Sequence, residues 1–320
     1  PALPDRPDRP GLNSRRKETS HIIVARCLVI VPNMPRFFVF FAAFLSVVCA
    51  EQLAVCLTGE PGVHDATETL RDHVLMLAPG ARVFAAVSSG RAVAALAPLA
   101  EFLAGVSIVD VGTMNRSNEF IVRDLYRIEL LRQINGNWLS PIDGRDGMVL
   151  LQVQQQYECL RLMQEHELSH PDTGFTHVAI ARLDMYYLLP LPRNLTFGDR
   201  PQCAIPCEGN DFNGVCDHFA FCNRPGADAY LSRWKHVAFR PDDQDSHGGV
   251  LGVFAGMRWM NTEMSLKLVL ENRGVSLYRF RGSMFRSCAQ VGNPNCKMVT
   301  RAMIRSEERR VGKECLRLCR

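Results

Sequence analysis

Between residues 53 and 111 the sequence alternates short apolar runs with segments of helical character. The apolar runs are too short for helices and are predicted to be buried strands, at 53–57, 82–87 and 106–111. An amphipathic segment over 64–77 and an alanine-rich segment over 91–103 separate them and are predicted to be helices. This order is typical of a parallel sheet, so we predict an α/β fold with a mostly parallel central sheet flanked by helices.

The later part of the chain continues with the same kinds of element. Two longer helices are predicted over 119–134 and 148–168, and a fourth buried strand over 175–181. Two shorter helices are predicted near 227–234 and 263–272.

The ends of the predicted strands are where a ligand is expected, because open parallel sheets bind ligands beyond the carboxyl ends of their strands. Thr58 and Gly59 end the first strand and are candidate substrate-binding residues. The loop that they open, 58–62, has neither the glycine spacing of a dinucleotide fingerprint nor the lysine of a P-loop. The sequence therefore predicts a ligand site of another kind.

The chain of 320 residues has a formal net charge of +4, but its ends carry the positive charge. Residues 1–33 and 305–320 each have six basic and three acidic side chains, which leaves the part between 51 and 304 acidic. A nucleic-acid-binding domain would concentrate basic side chains in its folded part. We therefore predict no nucleic-acid partner.

The first methionine, Met34, precedes a 14-residue apolar run over 37–50. This run is shorter than the ~20 residues of a membrane span, and the small residues at 48–50 suit signal-peptide cleavage. The pattern predicts a signal peptide at 34–50, with a retained signal anchor as the alternative. We therefore expect a protein of the secretory pathway, lumenal in the ER or Golgi or secreted, which contacts the membrane only if the anchor is retained.

The same features predict the domain organisation. Residues 1–33 are expected to be leader sequence or disordered, and 51–304 to form a single domain. Residues 305–320 resemble translated adapter sequence and are expected to be an artefactual tail. Two glycosylation sequons begin at Asn115 and Asn194 and predict a glycoprotein.

Twelve cysteines are a high count, and an even number behind a signal peptide favours disulfides. Four of them are clustered: Cys203, Cys207, Cys216 and Cys222. We predict two bridges among these four and a local bridge between Cys288 and Cys296. Zinc binding by the four is the alternative, although their spacings match no usual zinc site. Cys56, inside the first strand, is predicted to be a plain buried thiol.

Four short motifs follow one another along the chain: Gly59-Glu60-Pro61, Arg182-Leu183-Asp184, Gly214-Val215-Cys216-Asp217-His218-Phe219 and Asn261-Thr262-Glu263. The first two follow predicted strands, the third lies on a loop, and the fourth opens a predicted helix. In this order and spacing they resemble a group of glycosyltransferase-like proteins of the nucleotide-diphospho-sugar transferase (GT-A) superfamily, over residues 52–282. The resemblance implies a nucleotide-diphospho-sugar transferase-like sheet.

Three positions depart from the pattern of that group. His218 stands where the group has an arginine, and Gly62 stands where an arginine usually follows the Gly-Glu-Pro motif. The Asp-x-Asp that holds the metal in most transferases of this superfamily is Arg182-x-Asp184 here. This last departure leaves metal dependence open.

The resemblance implies roles for the residues that bind the donor. Asp184 would contact a divalent cation, Mn²⁺ or Mg²⁺, or the ribose, and Arg182 would pair with a phosphate. A structural ion pair between these two residues is the competing interpretation. Asn210 and His218 are further candidates for substrate binding, and the glycine-rich loop around Asn210 permits a close approach to a ligand.

Two carboxylates are candidate catalytic residues. Asp217 would orient the acceptor hydroxyl or act as a base, although aspartate is also common in ordinary turns. Glu263 would deprotonate the acceptor, although an acidic residue in the first turn after a cap is also ordinary helix chemistry.

The resemblance therefore implies a glycosyltransferase-like protein that transfers a sugar from a nucleotide sugar to a hydroxyl acceptor, such as a glycan. The alternative is a secreted, disulfide-stabilised binding protein on a degenerate transferase fold, without catalysis. The incomplete acidic motif at Asp184 leaves the choice between enzyme and binding protein open.

Overall fold

The computed structural model describes residues 52–61, 67–78, 80–112, 133–140, 148–187, 195–206, 212–238, 253–254, 256–280 and 284–286. Nine strands occur among these residues: β1 Leu53–Gly59, β2 Arg82–Val87, β3 Leu103–Ile108, β4 His177–Arg182, β5 Met185–Tyr187, β6 Gln202–Pro206, β7 Phe219–Asn223, β8 Ser276–Phe280 and β9 Met284–Arg286. Seven of them form one sheet in the order β3-β2-β1-β4-β7-β6-β8, and β5 pairs with β9 in a separate antiparallel pair.

The large sheet is mostly parallel. β1 pairs in parallel with β2 on one side and β4 on the other, and β3 extends the parallel set beyond β2. β7 runs antiparallel to both β4 and β6, and β8 is parallel to β6. Six of the seven strands therefore point the same way, which confirms the predicted α/β fold with a mostly parallel sheet.

Six α-helices occur in the described ranges: α1 Thr67–His73, α2 Gly90–Ala94, α3 Val149–Ser169, α4 Arg224–Leu231, α5 Arg233–Ala238 and α6 Thr262–Asn272. Short 3₁₀ turns follow α1 and α2, at Leu75–Leu77 and Ala97–Leu99. None of the helices in this part of the chain is both long and apolar enough to cross a membrane.

One predicted boundary is wrong. The helix predicted over 91–103 ends early, as α2 and a 3₁₀ turn that contains Pro98, which has no N–H to continue an α-helix. The third strand consequently begins at Leu103 instead of 106, and it ends at Ile108. Most of the helix predicted over 119–134 lies outside the described residues.

The central strands β1, β2 and β4 are covered on both faces of the sheet, which explains why they are mostly apolar. On β1, Ala54 and Cys56 face one core, which α3 and α6 also build. Leu57 faces a second core, which includes Leu70 of α1. The core strands are therefore buried on both sides, and the polar ends of the strands are left as the place for a site.

The disulfides correct one prediction and confirm part of another. Cys56 is bonded to Cys159 of α3, so the plain thiol predicted at Cys56 is wrong. Their Cα atoms are 5.8 Å apart because α3 packs across β1, a contact over 103 residues of sequence that no local pattern reveals. Cys203 and Cys222 face each other on β6 and β7 and form one of the two bridges predicted in the late cluster. That bridge also removes two of the four thiolates that a zinc site would need.

Several predictions fall outside the described residues. These are the signal segment at 34–50, the two ends of the chain, the asparagines of both sequons, Cys207 and the bridge between Cys288 and Cys296. They stay predictions.

Candidate functional site

A cavity of about 710 Å³ lies where the order of the strands reverses. After β1 the chain builds β2 and β3 on one side of the sheet, and β4 then pairs on the opposite side of β1. Loops diverge at such a point and leave a crevice for a ligand. The cavity is lined from the ends of β1 to β4, from α3, from the loop before β7 and from the start of α6: Gly59, Glu60, Ser88, Asp110, Val111, Gly112, Asn137, Met148, Val149, Leu151, Gln152, Gln155, Arg182, Asp184, Asp217, His218, Thr262 and Glu263.

Most of the site residues expected from the sequence meet in this cavity. Six of the eight line it: Gly59, Arg182, Asp184, Asp217, His218 and Glu263. Thr58 is buried inside β1, one residue before the cavity, and does not line it. Asn210 lies outside the described residues. The convergence is thus observed, while the chemical role of each residue stays a prediction.

Arg182 and Asp184 form a two-pronged ion pair at the end of β4. Arg182 Nε donates to Asp184 Oδ1 at 2.8 Å, and Nη2 donates to Oδ2 at 2.7 Å. Arg182 Nη1 also donates to Gln152 Oε1 at 3.1 Å. Burial alone would lower the pKa of Arg182, but Asp184 outweighs it and raises that pKa above its ordinary value. The ion pair foreseen as the competing interpretation is therefore present.

Asp217 is almost completely buried, with 2% of its surface exposed. Its Oδ2 accepts hydrogen bonds from Thr262 Oγ1 at 2.9 Å and from Gln152 Nε2 at 3.0 Å. Arg233 Nη2 lies 3.7 Å from the same oxygen. Burial alone would raise the pKa of Asp217, but the charges of Arg182 and Arg233 outweigh it and hold the pKa below its usual range. Asp217 is therefore ionised at neutral pH.

Arg233 is a buried cation next to the carboxylate of Asp217. It is the first residue of α5, only 1% exposed, and it is not among the residues that line the cavity. Its Nε donates to Gln156 Oε1 at 3.1 Å, and its Nη1 donates to the backbone oxygen of Thr262 at 3.2 Å. One guanidinium thus connects α3, the start of α6 and Asp217.

The sequence analysis missed several of these residues. Gln152 and Gln155 belong to a glutamine-rich stretch of α3, and Gln155 Nε2 donates to Ser88 Oγ at 2.8 Å and to Val109 O at 3.1 Å. Buried amides on an otherwise apolar helix face were a usable signal, because buried polar groups need partners. Arg233 gave no such signal, because nothing in the sequence places it beside Asp217.

Glu263 lines the cavity from the first turn of α6. Asn261 caps this helix, and its side chain accepts a hydrogen bond from Met264 N at 2.7 Å. Burial and the nearby charge of Asp217 raise the pKa of Glu263 above its usual value. A raised pKa makes the ionised form of Glu263 a stronger base.

The two carboxylates therefore have opposite electrostatic environments. The pKa of Asp217 is lowered and that of Glu263 is raised, although both line the same cavity. Such a divergence is the pattern by which acid–base roles are divided between neighbouring carboxyl groups. The catalytic roles expected of the two carboxylates stay predictions.

Among the described residues, the carboxylate that the resemblance assigns to a divalent cation is already paired with an arginine. Both carboxylate oxygens of Asp184 are bonded to Arg182. Within the described ranges, no three His, Cys, Asp or Glu residues are grouped as metal ligands. The cation stays a prediction from the resemblance, and we assign no step to it.

We expect Asp217→Asn to lower the pKa of Glu263, because the substitution removes the negative charge that raises it. The pKa should fall only part of the way to its ordinary value, since the burial of Glu263 is unchanged. Carbon-13 NMR titration of labelled glutamate carboxyl groups measures the shift. Asp72→Asn, at an exposed position of α1, is the control and should leave the titration unchanged. An unchanged Glu263 titration in Asp217→Asn would contradict the coupling.

No protein-family model matches the sequence, and no curated protein matches it. The chain is similar to the solved structure of mouse xyloside xylosyltransferase 1 in its apo form, with 11% identity and a TM-score of 0.36, over 72% of this chain and 84% of that one. It is also similar to a nucleoside-diphosphate-sugar pyrophosphorylase from Vibrio cholerae RC9, with 10% identity and a TM-score of 0.36, over 81% of this chain and 100% of that one. At these scores neither similarity bears on the chemistry of the site, which rests on its own geometry.

Proposed function

We propose that this protein binds a nucleotide sugar in the cavity at the ends of β1 to β4 and transfers the sugar to a hydroxyl acceptor. The observation that carries the proposal is the convergence of Arg182, Asp184, Asp217 and Glu263 on one cavity. The opposite directions of the pKa shifts of Asp217 and Glu263 support it. The position of the cavity at the reversal of strand order and the order of the four sequence motifs support it.

Glu263 acts as the base in this reaction. Its carboxylate takes the proton of the acceptor hydroxyl as the hydroxyl oxygen attacks the anomeric carbon of the donor. The new C–O bond forms as the bond between that carbon and the diphosphate breaks, and the nucleoside diphosphate leaves with the bonding electrons. The proton ends on Glu263, whose affinity for it is increased by the fixed negative charge of Asp217.

Disulfides support the proposed location in the secretory pathway. Cys56–Cys159 and Cys203–Cys222 join elements of the core, and such bonds persist in oxidising compartments. A nucleotide-sugar transferase of the ER or Golgi lumen would have both the donor and the oxidising environment.

The decisive variant is Glu263→Gln, which keeps the size and most contacts of the side chain but cannot accept the proton. We expect transfer to fall by about 10²- to 10⁴-fold, while the dissociation constant of the donor is unchanged. The measurement is release of nucleoside diphosphate from a panel of nucleotide sugars in buffer containing Mn²⁺, together with donor binding by calorimetry.

Glu271→Gln is the matched control, because Glu271 is an exposed glutamate on the same helix. It should leave both transfer and donor binding at the wild-type level. If Glu263→Gln retains full turnover, the assignment of the base is wrong. If wild-type protein neither binds nor cleaves any nucleotide sugar, the proposed function is wrong.

A non-catalytic binding protein is the second candidate, and one observation favours it. The guanidinium of Arg182 and the carboxylate of Asp184 would both contact the donor at the end of β4, but they are hydrogen-bonded to each other. A protein of this kind would bind a nucleotide sugar or a glycan in the calorimetric experiment and release no nucleoside diphosphate.

A further inference from the structure

Gln155 is a buried glutamine in the wall of the cavity. It is only 1% exposed, and it lines the cavity together with Ser88, the first residue after β2. Gln152, on the same helix, uses its amide for Arg182 and Asp217 in the charged part of the cavity. The amide of Gln155 lies about one turn farther along α3, so it belongs to a neighbouring part of the same cavity.

The orientation of the Gln155 amide is fixed by two hydrogen bonds. Its Nε2 donates to Ser88 Oγ at 2.8 Å and to Val109 O at 3.1 Å, which accounts for both amide hydrogens. Val109 O is a backbone carbonyl and can only accept, so a reversed amide would place two acceptors against each other. The amide nitrogen therefore faces the residues that follow β2 and β3, and the amide oxygen is held in one position.

The amide oxygen of Gln155 is left without a hydrogen-bond donor. Within the described part of the chain, no donor reaches Gln155 Oε1, although the side chain is almost completely buried. A buried oxygen without a donor costs free energy, and buried polar groups in proteins nearly always have a partner. An apolar side chain would fill the same space without that cost. A ligand in the cavity can provide the donor that this oxygen requires.

Ser88 provides a donor at the same place. Its Oγ accepts the hydrogen bond from Gln155, and this hydroxyl has no other bond among the residues that the structure describes. Its proton therefore remains for a ligand. The two atoms are close neighbours, because Gln155 Oε1 and Nε2 share one carbon atom and Nε2 lies 2.8 Å from Ser88 Oγ. The wall of the cavity thus presents one acceptor and one donor side by side.

We infer that Gln155 and Ser88 recognise a hydroxyl group of the ligand, which donates to Gln155 Oε1 and accepts from Ser88 Oγ. A hydroxyl oxygen does both with a single atom. An ionised phosphate or carboxylate has no proton to give to Oε1, and an ammonium group cannot accept from the serine. In a nucleotide sugar this hydroxyl belongs either to the ribose or to the sugar. The kind of ligand rests on the proposed function, whereas recognition of a hydroxyl does not.

Calorimetry with deoxy analogues tests the inference. The probes are the diphosphates of uridine, guanosine, adenosine and cytidine, their common nucleotide sugars, and free monosaccharides. In the ligand that binds most tightly, each hydroxyl of the ribose and of the sugar is replaced in turn by hydrogen. We expect one replacement to raise the dissociation constant about 10- to 100-fold, because it leaves Gln155 Oε1 and the proton of Ser88 without partners. The position of that replacement distinguishes the ribose from the sugar.

Two variants remove the two sides of the contact separately. Ser88→Ala removes the donor, and Gln155→Met removes the acceptor with little change in side-chain volume. In each variant the ratio of dissociation constants between the deoxy analogue and the complete ligand should fall about threefold or more. A variant that only loosens the fold would weaken both ligands alike and leave this ratio unchanged. Gln154→Met is the control and should keep the wild-type ratio, because Gln154 is a buried glutamine of the same helix that does not line the cavity.

The outcomes separate this inference from the proposed function. A ratio that falls in both variants, without any transfer by wild-type protein, would refute the reaction and leave the hydroxyl site in place. Transfer by wild-type protein with the wild-type ratio kept in both variants would refute the hydroxyl site and leave the reaction in place. Affinity that depends on the base but on none of the hydroxyl groups would also overturn the inference. If none of the probes binds to wild-type protein, the inference and the proposed function are both wrong.

Discussion

Arg233→Met is expected to lower the free energy of unfolding by about 3–5 kcal/mol, the cost of removing one partner of a buried ion pair, and it leaves Arg182 as the cation that stabilises Asp217. Arg233 and Asp217 have side chains that are each only 2% exposed, so water cannot replace the lost guanidinium. The substitution also removes the hydrogen bonds to Gln156 and to the backbone of Thr262. Urea unfolding followed by circular dichroism measures the change, and Arg91→Met, at an exposed position of α2, should change stability very little.

A double-mutant cycle tests whether the loss comes from the charge pair. If Asp217→Asn is combined with Arg233→Met, both charges of the pair are removed, so the double variant should lose less stability than the sum of the single variants. Coupled buried groups typically deviate from additivity by about 0.5–3 kcal/mol. Additive losses would show that the two side chains do not stabilise each other, despite the 3.7 Å between Arg233 Nη2 and Asp217 Oδ2.

The sheet could be predicted from the sequence because its information is local. Segments such as 53–57 and 83–87 are continuously apolar, and this is what burial on both faces of a parallel sheet requires. The third strand was misplaced because the effect of Pro98 on the preceding helix competes with an alanine-rich pattern that favours helix. The disulfide between Cys56 and Cys159 was missed because it depends on how α3 crosses the sheet.

The site shows the same division between local and long-range information. Arg182 and Asp184 could be predicted to lie at the cavity, because they follow a buried strand and ligands bind beyond the carboxyl ends of parallel strands. Gln152 could not be assigned to Asp217, because the two residues are 65 positions apart in the sequence. Arg233 could not be assigned to it either, because its contacts depend on how three helices and a loop pack together. Sequence motifs therefore indicated which carboxylates line the cavity, whereas their pKa values depend on partners that only the fold brings together.

Replacing Gly214 by alanine should lower both the stability of the protein and its turnover. A Cβ atom there would lie 2.0–2.3 Å from the backbone of Glu263 and Met264, and backbone atoms on α6 have little freedom to move away. We expect Gly214→Ala to destabilise the protein by about 3 kcal/mol or more, at the upper end of single substitutions. The displacement should also break the hydrogen bond from Val215 N to Glu263 O, so that Glu263 moves relative to Asp217.

Comparison with Gly90→Ala isolates the steric cause. Gly90 is the first residue of α2, and a Cβ atom there meets nothing within 4 Å, so alanine should be neutral or slightly stabilising. Thermal unfolding gives the stability of both variants, and turnover of the folded fraction at a temperature well below each midpoint separates misplacement of Glu263 from unfolding. We expect Gly214→Ala to lose turnover in its folded fraction, because a shift of about 1 Å near a reacting group can cost on the order of 10²-fold in rate. Wild-type turnover per folded molecule in Gly214→Ala would show that the contact between this loop and α6 supports the fold without positioning Glu263.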